Sequence, residues 1–90
     1  MKKIDVATTE TEVFAGGNVP FIGLHNNSSE VMYLKFDGSS IALTVDNGIP
    51  LQPTEKMILA NDGFKSVFIN PIVAIHGGSG TKDLRVQGDE

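Results

Sequence analysis

The stretch that decides the fold is EVMYLKFD, residues 30–37. Its apolar residues Met32, Leu34 and Phe36 alternate with more polar ones. A period of two places the apolar side chains on one face of an extended chain and the polar side chains on the other. The sequence therefore predicts a β-strand with one buried face.

The stretch just upstream, PFIGLHN at residues 20–26, is also short and rich in β-forming residues. The two stretches are separated by NNSS, residues 26–29, which are turn-forming residues. A connection this short suits a hairpin and cannot carry a parallel crossover. We therefore expect these two strands to pair antiparallel.

Short β-rich stretches between Gly- or Asp-containing turns recur along the rest of the chain. They are residues 41–45, 57–60, 66–70, 73–76 and 84–87. No stretch sustains the apolar spacing of a helix. The sequence predicts an all-β fold, a small antiparallel β-sandwich of about seven or eight short strands with jelly-roll or immunoglobulin-like topology. A length of 90 residues suits a single domain spanning residues 1–90.

The candidate partner-binding residues lie near the N-terminus and beside one later turn. Residues 1–13 contain few apolar residues and predict an extended N-terminal arm, or an edge strand, that pairs with a partner through Thr11 and Val13. Phe14 and Phe64 each lie next to a Gly-containing turn, where an aromatic side chain can anchor a partner. The alternative is that each phenylalanine closes an open end of the sandwich, because large apolar residues mostly lie inside.

Composition excludes several classes of partner. The 7 basic residues are scattered and the net charge is -4, so we expect no nucleic-acid partner. No apolar run is long enough to span a bilayer, and the first residues lack the apolar segment of a secretory signal, so we expect no membrane partner and synthesis in the cytoplasm. The chain has no Cys, which excludes disulfides and thiolate metal sites. A domain this small then favours association as a homo-oligomer.

The residues offer little for catalysis or metal binding. The loop HGGSG at residues 76–80 resembles an esterase oxyanion loop, but the chain has no Gly-x-Ser-x-Gly motif, and a hairpin connection is the favoured interpretation. His25 and His76 are the only histidines and are interpreted as strand-end residues, since a metal needs further ligands. Aspartates 37, 46 and 62 lie near glycines, where a turn role is favoured over calcium binding. We therefore predict no catalytic residue, no cofactor and no metal site.

Proline and glutamate mark the turn before residue 57. Pro50 and Pro53 restrict the backbone and lack N–H donors, so they suit a strand edge. Glu55 is positioned to accept a backbone N–H in that turn.

Three segments carry a resemblance to a known class of protein. Residues 24–28 read LHNNS, residues 47–55 read NGIPLQPTE, and residues 73–87 read VAIHGGSGTKDLRVQ. This order resembles a pattern in small structural proteins of tailed bacteriophages. The resemblance implies a non-enzymatic virion protein, a capsid decoration or cement protein that binds the major capsid protein at capsomer junctions, with a homotrimer as the expected oligomer. A component of the neck, tail or fibres is the alternative within the same class.

Two functions outside that class remain open. A carbohydrate- or cell-surface-binding module is compatible with the fold class and predicts an exposed aromatic platform or a bound calcium. A small hydrolase that uses the His76 loop requires a nucleophile within hydrogen-bonding distance of that histidine.

Overall fold

The computed structural model describes residues 2–59 and 66–88. These residues form an all-β structure of ten short strands that pair antiparallel. The strands are β1 Lys2–Val6, β2 Thr11–Phe14, β3 Gly17–Val19, β4 Ile22–Asn26, β5 Met32–Lys35, β6 Ile49–Leu51, β7 Lys56–Leu59, β8 Val67–Ile69, β9 Ile72–His76 and β10 Lys82–Gln87. No helix in the described part of the chain is long and apolar enough to cross a membrane.

The strands form two four-stranded sheets and a two-stranded ribbon. The first sheet has the order β1-β10-β4-β7, and the second has the order β2-β9-β5-β6. Strands β3 and β8 form the ribbon. The radius of gyration is 12.2 Å, close to the roughly 12 Å expected for one compact domain of this length.

Both four-stranded sheets contribute to one hydrophobic cluster. Strands β4 and β10 of the first sheet supply side chains that are almost fully buried, and β5 and β9 of the second sheet do the same. The fully buried members include Ile22, Leu24, Leu84, Val86, Met32, Leu34, Ile72 and Ala74. Burial of a Leu or Ile side chain contributes roughly 1.5–3 kcal/mol, so this shared cluster is the main source of stability. The predicted one-sided burial of Met32 and Leu34 is confirmed.

The predicted hairpin between β4 and β5 is wrong. Strand β4 pairs with β10 and β7, whereas β5 pairs with β9 and β6. Residues 26–31 therefore cross from one sheet to the other. The cause is Asn26, which is fully buried and donates from Nδ2 to the carbonyls of Glu30 at 2.7 Å and Leu51 at 2.9 Å. Ser28 donates to its Oδ1 at 2.6 Å, so all the polar atoms of the buried amide are used.

The other strand predictions have mixed outcomes. The stretches 57–60, 66–70, 73–76 and 84–87 correspond to β7 through β10 in the described residues. Residues 41–45 are not a strand. The N-terminal region is not a free arm: β1 is the edge strand of the first sheet, beside β10, and β2 is the edge strand of the second, beside β9.

Residues 37–48, called the strap below, lie over the outer face of the second sheet. Ile75 points outward opposite Tyr33, yet it is only 4% exposed, and Leu43 of the strap is 7% exposed. Neither belongs to the central cluster. A Cβ at Gly48 would lie 2.7 Å from the Cβ of Tyr33 and 2.8 Å from Cδ1 of Leu43. The strap and the sheet therefore leave no space for a side chain at position 48.

Two charged residues hold the strap in place. Lys35 donates from Nζ to the carbonyls of Ser39 at 3.0 Å and Ile41 at 2.7 Å. Glu10 accepts the N–H of Leu43 at 2.7 Å. The bonds to the Ile41 carbonyl and from the Leu43 N–H use backbone groups that residues 41–45 would pair with a neighbouring strand if they were in a sheet, which explains why the predicted strand is a loop.

Candidate partner-binding face

The structure places two of the predicted partner-binding residues in the core. Val13 is 1% exposed and Phe14 is 4% exposed, and both belong to the central hydrophobic cluster. The prediction that Phe14 projects towards a partner is corrected on this ground, because a buried side chain presents no surface. Pairing of a partner with the edge strand that holds Val13 stays a prediction. For Phe14, the burial agrees with the alternative interpretation given above.

The other two predicted residues have different outcomes. The Thr11 hydroxyl accepts the N–H of Ala7 at 3.0 Å and donates to the carbonyl of Thr9 at 3.1 Å, which closes the turn between β1 and β2. Its contact with a partner stays a prediction. Phe64 lies outside the described residues.

His76 is occupied by its own loop. It is 1% exposed. Nδ1 accepts the N–H of Gly78 at 3.1 Å, and Nε2 is 2.8 Å from the carbonyl of Gly80. A carbonyl only accepts, so the proton lies on Nε2 and the ring is the neutral tautomer. The loop joins β9 of the second sheet to β10 of the first, so the predicted hairpin connection is wrong, while the interpretation of His76 as a satisfied strand-end residue is confirmed.

Two of the acidic side chains predicted to lie in turns bond to nearby backbone N–H groups. Asp37 accepts the N–H of Ser39 at 2.9 Å, which makes it a turn residue, and this bond lowers the pKa of Asp37 below its ordinary value. Glu55 accepts the N–H of Gln52 at 2.7 Å, as predicted. Among residues 2–59 and 66–88, no three acidic or histidine side chains come together in a way that could hold a metal ion. Asp62 is outside the described residues.

The outer face of the first sheet carries a row of basic side chains that the sequence alone did not reveal. The register aligns four positions across all four strands. These positions, called the basic row below, are Lys3 on β1, Arg85 on β10, His25 on β4 and Lys56 on β7. Directly opposed positions in antiparallel strands lie about 4.5–5.5 Å apart at Cβ. A protein with a net charge of -4 thus concentrates much of its basic character on one sheet face.

One end of the basic row is paired with carboxylates. Arg85 Nη2 lies 2.8 Å from Asp83 Oδ2, and Lys3 Nζ lies 3.5 Å from Asp5 Oδ1. The hydrogen bond from Arg85, followed by one from Asn27, lowers the pKa of Asp83 below its ordinary value. The same pairing raises the pKa of Arg85. No residue of the described chain forms an ion pair with Lys56.

A gap adjoins the basic row on the side away from Asp5 and Asp83. Gly23 lies two residues before His25 on β4 and has no side chain to cover the sheet. Phe21 borders the gap, with its Cε2 3.8 Å from the position of a Cβ at Gly23, and Gln87 borders it from β10. Ile58 borders it from β7 and is 58% exposed. The basic residues other than Lys3, together with these side chains, line a groove of about 300 Å³, called the outer groove below.

A second recess of similar size lies under the strap. It has a volume of about 330 Å³ and is lined by apolar side chains that include Phe36, Ile41, Leu43 and Ile49. Its one ammonium group, on Lys35, is already bonded to two strap carbonyls. Its one carboxylate, on Asp37, accepts the N–H of Ser39 at 2.9 Å. Lys56 of the outer groove forms no ion pair or side-chain bond with the described residues, which makes the outer groove the stronger candidate.

The sequence alone could not place Arg85 and Gln87 beside His25. The only available signal was the alternation within β4 and β10, taken one strand at a time. Comparisons with protein-family models, with curated proteins and with solved structures found no match for this chain.

Proposed function

We propose that this chain is a non-enzymatic structural protein of a tailed-phage particle, a capsid decoration or cement protein that attaches to the shell through the outer face of its first sheet. The observation that carries the docking role is the contrast between the two sheet faces. The strap covers the outer face of the second sheet, whereas the basic row and the outer groove remain accessible on the first. The assignment to a phage particle rests on the sequence resemblance.

The geometry of His76 supports a role without catalysis. A general base must reach the proton that it removes, and both ring nitrogens of His76 are bonded within residues 76–80. A nearly buried ring held in this way stabilises the connection between the sheets. The hydrolase alternative loses the residue on which it depended.

The arrangement of the two sheets supports the assignment of the fold as a β-sandwich. Two sheets that bury their inner faces in one cluster fit a β-sandwich. A jelly-roll or immunoglobulin-like connection order remains part of this proposal.

A small domain with one small groove suits a role in which many copies bind to the same particle. We expect the partner to be the major capsid protein or another virion protein, and the chain to act in the virion as a homo-oligomer, with a trimer as the expected form. Several copies that bind together gain avidity that one small groove cannot supply.

Two measurements test the proposal. Mass spectrometry of purified particles should detect the chain whenever its gene is expressed, and fractionation should assign it to the shell and not to the neck, tail or fibres. Purified chain should also cosediment with empty shells. Failure to detect the chain in any particle fraction contradicts the virion role.

Matched variants locate the contact. Lys56→Gln removes one positive charge from the basic row and should weaken cosedimentation. Ser40→Asp changes the net charge by the same amount on the exposed strap and should leave cosedimentation unchanged. Equal effects of the two variants would assign the binding to overall charge and not to this face.

The alternative of a carbohydrate- or cell-surface-binding module predicts an aromatic platform. Among the described aromatic side chains, only Phe68 is exposed, at 66%, on the β3-β8 ribbon. One ring away from the outer groove does not make a platform.

A further inference from the structure

In the outer groove, the basic row and the gap at Gly23 lie two residues apart along β4, and this spacing limits the kind of peptide segment that the groove can bind. We propose that it binds an extended, acidic segment of a partner protein in which a carboxylate and an apolar side chain are two residues apart. The identity of that partner as a shell protein rests on the proposed function, whereas the chemistry of the segment rests on the groove itself.

The spacing comes from β4. His25 belongs to the basic row and Gly23 forms the gap, and these positions are two residues apart on the same strand. Positions i and i+2 of a strand lie about 6.4–6.8 Å apart on one face. An extended peptide that runs along β4 has the same repeat. One of its side chains then lies over the basic row when the side chain two residues away lies over the gap.

The charges define the first of these side chains. Lys56 forms no ion pair with the described residues, and Arg85 retains a side chain that is 38% exposed beside Asp83. A carboxylate placed over the row can accept bonds from Arg85, from Lys56 and from a ring N–H of His25. A cationic side chain at the same place meets like charges.

The apolar border defines the second side chain. The gap at Gly23 is flanked by Phe21 and by Ile58, which leaves 58% of its side chain exposed. A Leu- or Ile-sized side chain that enters the gap removes apolar surface from water on both partners. Exposed apolar surface next to uncommitted charge is the arrangement found in peptide-binding grooves.

The arrangement favours a peptide over a nucleic acid. A phosphate chain carries a charge at every nucleotide, and the row next to the basic row holds Asp5 and Asp83. The sequence pI of about 5.0 adds long-range repulsion. A single carboxylate avoids both costs because it occupies only the basic row.

Blocked pentapeptides test the inference against the isolated chain. The probe Thr-Glu-Thr-Leu-Thr has the required spacing, and three controls alter one feature each: Lys for Glu, Thr for Leu, and a shuffled peptide that places Glu and Leu next to each other. Amide chemical shifts, measured by two-dimensional NMR, should change at Gly23, His25 and Arg85 with the probe and leave the strap unaffected. Each control should bind about tenfold more weakly or worse, which is the scale of one good contact.

Variants of the chain confirm the site. Gly23→Leu fills the gap, and Lys56→Gln removes the charge, so each should weaken probe binding while the NMR spectrum shows that the fold is kept. Absence of shifts with the probe, equal binding of the Lys-containing control, or tighter binding of single-stranded oligothymidylate over the same residues would overturn the inference. Shell binding that responds to Lys56→Gln without any peptide binding keeps the proposed function and rejects this occupant. Peptide binding without shell binding keeps this occupant and rejects the proposed function.

Discussion

The outer faces of the two sheets differ in what covers them. On the second sheet, Ile75 is 4% exposed and Leu43 of the strap is 7% exposed, and Lys35 and Glu10 bond to the strap backbone. On the first sheet, Ile58 is 58% exposed and the basic row meets solvent. The strap thus covers part of the outer face of the second sheet, whereas the basic row and the outer groove of the first sheet stay accessible. Substitutions on the second face should change stability, and substitutions on the first should change binding.

A pair of glycines gives the largest expected contrast. Gly48→Ala places a Cβ 2.7 Å from Tyr33 Cβ and 2.8 Å from Leu43 Cδ1, so the strap must shift. Overpacking of this kind costs about 1–3 kcal/mol. Gly23→Ala meets its nearest atom only at 3.8 Å and should change the free energy of unfolding by about 0.5 kcal/mol or less. Urea unfolding of both variants measures the contrast.

Equal stability of the two glycine variants would contradict the tight packing of the strap at Gly48. If Gly48→Ala is as stable as Gly23→Ala, the strap yields easily and the second face is not closed. Amide hydrogen exchange within residues 38–48 then shows whether the strap opens.

Lysines on the two faces give the next contrast. Lys35→Met keeps the aliphatic stem but removes the donor to Ser39 and Ile41, which should cost about 1 kcal/mol because the carbonyls can still bind water. Lys56→Met on the first sheet should leave stability within about 0.5 kcal/mol. Thermal unfolding measures both variants. A larger loss for Lys56→Met would mean that the basic row contributes to folding.

Local patterns predicted the strands better than their partners. The alternation around Met32 and Leu34 correctly identified the buried face because period-two burial depends only on neighbouring residues. The hairpin between residues 20–26 and 30–37 was wrong because a short connection fits either a hairpin or a crossing between two packed sheets. The deciding feature was the buried Asn26 amide bonded to Leu51, 25 residues away. A local pattern carries no information on such a contact.

The candidate site is also formed by residues that are far apart in the sequence. Arg85 and His25 are adjacent only through the β10–β4 register, across a separation of sixty positions in the printed sequence. Phe14 was considered for partner binding because of its glycine neighbours, but burial places it in the core. Residues 41–45 had a strand-like composition, and the bonds from Lys35 and Glu10 to the strap backbone decided against the strand.

Acid should affect both faces through carboxylates with lowered pKa values. Bonds from the Ser39 N–H lower the pKa of Asp37 at the start of the strap, and bonds from Arg85 lower the pKa of Asp83 on the first sheet. A lowered pKa in the folded state adds stability above the ordinary value of 3.8, and this stability is lost as pH falls through the folded pKa. Carboxyl NMR titration should therefore place both midpoints below 3.8.

Substitution separates the two acid effects. Asp37→Asn keeps an oxygen acceptor for the turn but does not titrate, so the acid dependence of hydrogen exchange in the strap should flatten. Asp83→Asn should flatten the dependence at β10 and leave the strap unchanged. Because Asp37 is exposed and Asp83 keeps 20% of its side chain in contact with solvent, we expect effects smaller than that of Lys35→Met. A midpoint at or above 3.8 for either residue contradicts the bonding described for it.

A substitution at Ile58 should give the smallest change in stability and a clear loss of peptide binding. Ile58→Thr keeps a β-branched residue on the edge strand and alters a side chain that is 58% exposed, so unfolding should change by about 0.5 kcal/mol or less. The same substitution removes apolar surface from the outer groove and should weaken binding of the Glu- and Leu-containing peptide. Ile41→Thr is the matched control, since Ile41 is 68% exposed on the strap. It should leave peptide binding unchanged, because Ile41 does not line the outer groove.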